Sequence, residues 1–417
     1  QTIIHTIDAV LPVLTNPLGW LPFECHGFPQ AKLTQPMSKA DPTPLRLCAV
    51  DNKRTTNDFI RVPWAVYADD PHWIPPLELE RKEALSPKQP VFEHLEWQGW
   101  VGYDGARPVA RISAQIDRLH LEHHGDATGF FGFLEGPDDP AAFGQLLETA
   151  EAWCRERGVA RIRGPFGLNI NQEVGLLVDG FETSPYFMMT HARPYYARHL
   201  EQHGYRKAKD LFAYLISANF QPPPVMASLF ERLKRRVKIR ALDPKRVDED
   251  LASVCEIFND AWSDNWGFVP FTQTEFKTIG REMLMLIPPD FIQIAEMDGE
   301  PVAFIVLLPN INECIADLNG KLLPLGWAKL LGRLKFGYPK TARIPLMGVR
   351  KRLHNTRLGP GLALSVVESL REPGLRKGLE LVEMSWILED NEAMKNIIET
   401  LGGYQSKRYR IYEKALG

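Results

Sequence analysis

Apolar and polar positions follow two periods along this chain, and the periods mark out its elements. Residues 97–103, 108–117 and 129–134 are short apolar stretches bounded by turn residues, which predict strands. Residues 141–157 instead place Leu146, Leu147, Ala150 and Trp153 on one helical face and predict a helix. A helix near 58–67 precedes these strands, and Arg161-Ile162-Arg163 starts another. Further on, 227–236 predicts a helix, 237–241 a strand and 247–262 a helix. Residues 291–295 and 301–308 read as an antiparallel pair turned at Asp298-Gly299. Strands interleaved with helices predict an α/β protein with a mixed sheet.

The same order of elements occurs twice. In the first half the apolar strand Tyr186-Phe187-Met188-Met189 leads to a helix ending near Leu200-Glu201, then Gly204-Tyr205, then a strand over 211–216. In the second, a strand through Ile387 leads to a helix through Ile397-Ile398-Glu399, then Gly402-Gly403, then a strand over 409–412. Two copies of one module are expected. The first runs over 46–218 and the second over 219–417, joined at Phe220-Gln221-Pro222-Pro223-Pro224. Residues 1–45 form an N-terminal extension, poorly ordered or docking. The length agrees, since 417 residues exceed one typical domain.

The C-terminal stretch carries the clearest chemical signal. A strand ending in Met347-Gly348-Val349 runs into Arg350-Lys351-Arg352-Leu353-His354-Asn355-Thr356-Arg357-Leu358-Gly359-Pro360-Gly361-Leu362. A strand that ends in a glycine turn opening a helix forms an anion site, because free N–H groups and the positive helix end point at the ligand. Four cations and a histidine stand before the glycines in a chain of formal net charge −3, so the expected ligand is a polyphosphate. The turn is followed by Met384-Ser385-Trp386-Ile387-Leu388, then Asn391, then Leu401-Gly402. This order resembles the acyl-CoA N-acyltransferase superfamily built on the GNAT fold, and the whole chain then reads as two tandem GNAT-like modules.

The resemblance implies that acetyl-CoA or a longer acyl-CoA is the cosubstrate, with no metal. It would be held by Met347, Gly348, Val349, Arg350, Arg352, Arg357, Gly359, Gly361, Leu362 and Asn391. Two positions depart from the family. Thr356 stands where Arg or Gln is usual, and Ile398 stands where a Tyr often protonates the leaving thiolate. In the first module the matching turn is Glu135-Gly136-Pro137-Asp138-Asp139-Pro140. Its acids suit a helix N-terminus and would repel phosphates, so this copy is expected to have lost the coenzyme.

The implied reaction is direct attack of a neutral amine on a thioester carbonyl, which needs a proton acceptor and a held carbonyl oxygen. Asp264 is a candidate for holding or deprotonating the amine. It lies in Trp262-Ser263-Asp264-Asn265-Trp266, matching the family's acceptor-covering loop, with Trp262, Asn265 and Trp266 as substrate contacts. A packed aromatic turn is the alternative. Glu383 flanks the last parallel strand near the expected thioester, and Tyr404 and Tyr409 are candidate replacements for the acid missing at Ile398. Glu173 and His191 either face a cleft between the modules or belong to a surface loop.

Residues 320–338 form an insertion where the family has a tight turn. Trp327, Leu330, Leu331 and Leu334 share helical spacing, with Lys329 and Arg333 on another face. That pattern fits a segment in a membrane interface, a helix packed on the other module or a second subunit, or the wall of an acyl-chain tunnel. The two lipid-related uses favour a long-chain amine such as a sphingoid base. The alternatives are a small-molecule or amino-acid N-acetyltransferase and a non-catalytic acyl-CoA-binding protein. The slightly negative charge argues against nucleic acid as a partner. Five scattered cysteines without metal spacing suit reduced thiols in the cytoplasm, with the protein peripheral on the inner face of the membrane.

Overall fold

Strands from both halves of the chain hydrogen-bond edge to edge into one thirteen-stranded mixed sheet. The computed structural model describes residues 44–224, 228, 233–356 and 358–417. Nearly all of the predicted extension, Cys25, half of the helix predicted over 227–236, and Arg357 lie outside the described residues.

The first half contributes β1 (Arg46–Ala49), α1 (Lys53–Val66), α2 (Glu78–Ala84), β2 (Leu95–Asp104), β3 (Arg107–Asp117), α3 (Arg118–His124), β4 (Thr128–Glu135), α4 (Pro140–Glu156), β5 (Arg161–Gly164), β6 (Leu176–Asp179), α5 (Tyr195–Gln202) and β7 (Arg206–Ser217). The predicted helix near 58–67 starts earlier because Asn52 caps it: its side chain accepts from the N–H groups of Arg54 and Thr55. Tyr186 to Met189, expected as a strand, is a loop. Met188 has φ 62°, which strand geometry forbids, and Asn310 and Arg343 take up the local backbone groups. The strand that precedes α5 is β6 instead.

The second half contributes β8 (Val237–Ala241), α6 (Val247–Trp262), α7 (Gln273–Met283), β9 (Ile292–Met297), β10 (Glu300–Pro309), α8 (Asn312–Ile315), α9 (Gly326–Phe336), β11 (Thr341–Val349), α10 (Lys351–His354), α11 (Gly359–Ser369), α12 (Arg371–Arg376), β12 (Leu381–Leu388), α13 (Glu392–Thr400) and β13 (Tyr404–Ala415). The hairpin of β9 and β10 turns at Asp298-Gly299, as the sequence predicts, with both residues at positive φ.

Across the sheet the strands run β1-β2-β3-β4-β5-β13-β7-β12-β11-β10-β9-β8, with β6 on β13. Two neighbouring pairs are parallel: β4 with β5, and β11 with β12. The closing strands of the two halves are exchanged. The C-terminal β13 lies antiparallel between β5 and β7, and β7 lies antiparallel to β12. The cores follow. Tyr214 and Ile216 of β7 pack with second-half residues, whereas Tyr409, Ile411 and Tyr412 of β13 pack with first-half residues.

A buried charge cluster also ties the halves. His94 Nδ1 lies 2.8 Å from Asp117 Oδ1, and its Nε2 lies 3.1 Å from Glu275 Oε1 on α7, off the line of a good hydrogen bond. The other oxygen of Glu275 accepts the Thr272 N–H in the cap of α7. Burial alone would lower the His94 pKa, but the two carboxylates override it and hold the imidazolium up to about 9. A raised folded pKa makes this contribution complete below the ordinary histidine value and removes it as pH rises through about 9. We therefore expect His94→Gln to lower stability by about 3 kcal/mol near pH 6, with the gap from wild type closing above about pH 9.5. Thermal melts across pH check this, and a gap that widens with pH would contradict it.

Candidate active site

The glycine turn has the order of strand, turn and helix that its sequence suggests. β11 ends at Val349, one turn of α10 follows, and α11 opens at Gly359-Pro360-Gly361. Gly359 is required there, since a Cβ would stand 2.4 Å from the Leu353 carbonyl oxygen. Gly348 is equally constrained, because a Cβ would meet the Phe304 ring at 2.8 Å. Thr356, the departure from the family, braces the turn. Its hydroxyl donates to Leu353 O at 2.8 Å and accepts from Leu358 N at 3.2 Å. His354 Nε2 lies 2.6 Å from Val349 O and so folds the turn back on the strand. Leu362, on the first turn of α11, is fully buried.

The cations of this turn are not bare. Arg350 meets Glu256 at 3.3 Å, Lys351 meets Asp264 at 2.5 Å and Arg352 meets Glu300 at 2.7 Å. Asp260 accepts the Lys351 N–H at 2.8 Å. Exposed pairs of this kind are weak and exchangeable. Asp264 is thereby placed on the turn, with its side chain 84% exposed.

β11 and β12 pair only from Thr341 with Leu381 to Ile344 with Met384, and beyond that they diverge. Aromatic rings line the gap. Trp262 on α6 donates Nε1–H to Met347 O at 2.8 Å, and Trp386 meets it edge to face at 5.7 Å. Trp266 lies under Arg163 and Lys209, and the Asn265 N–H closes the turn on Trp262 O at 2.8 Å. Asn391 caps α13 by accepting the Met394 N–H at 3.1 Å.

At the point of divergence sits a buried polar cluster. Ser385 Oγ donates to Glu383 Oε1 at 2.6 Å, and Arg343 Nε donates to Ser385 Oγ at 2.7 Å. Glu383 is fully buried, and its Oε2 has no hydrogen-bond partner. Burial raises its pKa against the opposing pull of Arg343 and the Ser385 hydrogen bond. Tyr409 is fully buried on the exchanged strand β13, and its hydroxyl also has no partner. Burial, reinforced by the nearby Glu383 charge, raises its pKa well above the usual value. Lys407 crosses behind them to the carbonyls of Gly180 and Thr183. The loop at 186–189 covers the cluster, with Met189 Sδ 3.5 Å from Ser385 Oγ.

The structure thus brings Glu383 and Tyr409 together and separates the remaining candidates. Tyr404 is 58% exposed, and Ile398 is buried in the second-half core. Glu173 is ion-paired with Arg81. His191 Nε2 lies 2.9 Å from Asp70, while burial keeps its pKa below the ordinary value. Trp327 donates to Pro324 O at 2.9 Å on the insertion. Arg343 and Ser385 are additions that the sequence reading did not pick out. Ser385 shares the Glu383 face of β12 by strand period, which was a usable signal.

In the first half the corresponding turn is filled from within. Glu135 accepts from the hydroxyls of Tyr67 and Tyr196, each at 2.6 Å, and Arg111 lies 3.6 Å away. Asp139 caps α4 through the Ala141 N–H at 2.9 Å.

Freeing the second-half cations should strengthen anion binding. We expect Glu256→Gln with Glu300→Gln to raise coenzyme A affinity about two- to fivefold at low salt, with the gain lost at about 0.5 M salt. Calorimetric titration reads this, and an unchanged or weaker affinity would mean that these cations do not face the ligand.

No family model matches the chain. Protein YghO of Escherichia coli (strain K12) is 50% identical over 366 residues, covering 88% of this chain and 94% of that protein. The bacterial ceramide synthase of Caulobacter vibrioides (strain NA1000 / CB15N) is 45% identical over 361 residues, covering 86% of this chain and 94% of that protein. Among solved structures, a tandem GNAT protein from the clavulanic acid biosynthesis pathway superposes with a TM-score of 0.53 at 14% identity, over 89% of this chain and 99% of that one. The chain therefore belongs to the family that includes YghO and the bacterial ceramide synthase, and its fold is that of a tandem GNAT protein.

Proposed function

We propose that this protein transfers an acyl group from a coenzyme A thioester to the primary amine of a long-chain lipid, such as a sphingoid base, with 320–338 meeting the membrane. Glu383 carries the reading. A buried carboxylate with a free oxygen and a raised pKa, at the opening of the strand gap, is suited to take a proton from an ammonium. The 45% identity to a bacterial ceramide synthase supports the lipid acceptor.

In this reading the second-half turn holds the pyrophosphate through the N-terminus of α11, and the acids on Arg350, Lys351 and Arg352 give way to phosphate oxygens. The acidic turn of the first half, occupied by Glu135, takes no coenzyme. Glu383 accepts the ammonium proton, with Ser385 and Arg343 fixing its carboxylate. The amine nitrogen then bonds to the thioester carbon, and the C–S bond breaks as the tetrahedral intermediate collapses. Tyr409 donates a proton to the departing thiolate, its phenolate takes the second proton from the new amide nitrogen, and Glu383 releases the first to solvent. The Trp262–Trp386 wall keeps the gap dry, which favours the neutral amine.

Glu383→Gln should reduce kcat about 10²- to 10⁴-fold with palmitoyl-CoA and sphinganine, leaving coenzyme A affinity intact. Because its pKa is raised, the wild-type rate should climb with pH through a limb above the ordinary carboxylate range. Thiol release followed against pH measures both. A Glu383→Gln protein with wild-type kcat would sink the assignment.

A further inference from the structure

Among the described residues the three most exposed large apolar side chains lie within one insertion: Phe336 at 83%, Leu323 at 70% and Leu325 at 68%. They are not the face that the helical spacing singled out. On α9, Leu330 is buried against Ile311, Cys314, Ile315 and Leu318, and Leu334 packs beside it. Arg333 ties the helix down through Cys314 O and Asp317. Two members of the stripe, Leu330 and Leu334, therefore face inward, and Trp327 and Leu331 are half-buried. What remains outside is a pair of leucines before the helix and a phenylalanine at its end.

Lysines neighbour these prongs along the chain. Lys321 and Lys335 have no carboxylate partner among the described residues, and the Lys335 ammonium sits 5.3 Å from the Phe336 ring centre. Lys329 is paired only loosely, 3.5 Å from Asp317. Exposed apolar tips with lysines next to them in the chain are mismatched to water but matched to a bilayer, whose anionic headgroups meet the ammonium groups while the tips enter the acyl boundary. A protein partner of matching shape would have to present acids around an apolar socket. The bilayer supplies both without specific geometry.

The insertion is also joined to the catalytic cluster. Asn312 on α8 donates to Pro185 O at 2.8 Å, Phe187 packs against the insertion core, and Arg343 holds the carbonyls of Phe187 and Met188. One loop thus runs from the insertion to the cover of Glu383.

We propose that Leu323, Leu325 and Phe336, with Lys321 and Lys335 around them, dock the protein on an anionic lipid bilayer. This deepens the lipid-amine reading above and rests on it for its purpose, but the docking is measurable without turnover.

The test is co-sedimentation of the full chain with vesicles of phosphatidylcholine, alone or with about one third phosphatidylglycerol. The wild type should partition to the anionic vesicles. Leu323→Ser with Leu325→Ser and Phe336→Ser should reduce this at least about tenfold. Lys321→Gln with Lys335→Gln should reduce it by a similar factor and remove most of its dependence on salt and on phosphatidylglycerol. Both variants should keep the wild-type melting temperature and the wild-type rate on a water-soluble short-chain amine without vesicles. Equal sedimentation of wild type and triple variant would overturn the proposal. So would a wild-type dimer in light scattering that the triple variant converts to monomer, which would assign the patch to a second copy. Docking with no acylation of any amine would keep the surface and reject the reaction.

Discussion

The exchange of the two closing strands is the constraint on which the rest of this structure depends. A strand edge with unpaired N–H and C=O groups must be matched, and here β5 is matched by β13 and β12 by β7. Each half therefore finishes the other. The ladder between β7 and β13 runs the length of both strands, so the sheet has no seam where the halves could part cleanly. The same exchange builds the buried polar cluster, because Tyr409 arrives beside Glu383 only on a strand from the far end of the chain.

Buried charge sits along this central region, and its cost shows why the arrangement is specific. A lone buried carboxylate is strongly disfavoured, and Glu383 persists because Ser385 satisfies one of its oxygens while Arg343, bonded to Ser385, adds a nearby positive charge. The second oxygen is left for something else. His94 between Asp117 and Glu275 represents the opposite solution, in which a charged group faces carboxylates from both halves and its work is cohesion.

The two halves also show how one framework takes opposite electrostatic content. The second-half turn is cationic, with acids held at exchangeable distance. The first-half turn contains its own anion, Glu135, capped by two tyrosine hydroxyls and approached by Arg111. An internal carboxylate in that cage leaves little for a phosphate to gain.

Much of this was legible in the sequence wherever local rules suffice. The helix at 247–262 and the hairpin at Asp298-Gly299 are where periodicity and turn chemistry place them. The glycine turn is equally local, since Gly359 answers to a carbonyl six residues away. Glu383 and Tyr409 were visible as residue types, and Ser385 lay on the Glu383 face by strand period. The tertiary structure alone decided the partners. Tyr186 to Met189 is apolar enough for a strand, yet Met188 and the contacts from Arg343 and Asn310 make it a loop. The α9 stripe has the composition of a membrane face, yet its Leu330 and Leu334 pack into a small core. Asp264 pairs with Lys351 of the glycine turn, a contact that no local pattern announces. In each case the sequence fixes which groups must be satisfied, whereas long-range pairing across the exchanged sheet selects what satisfies them.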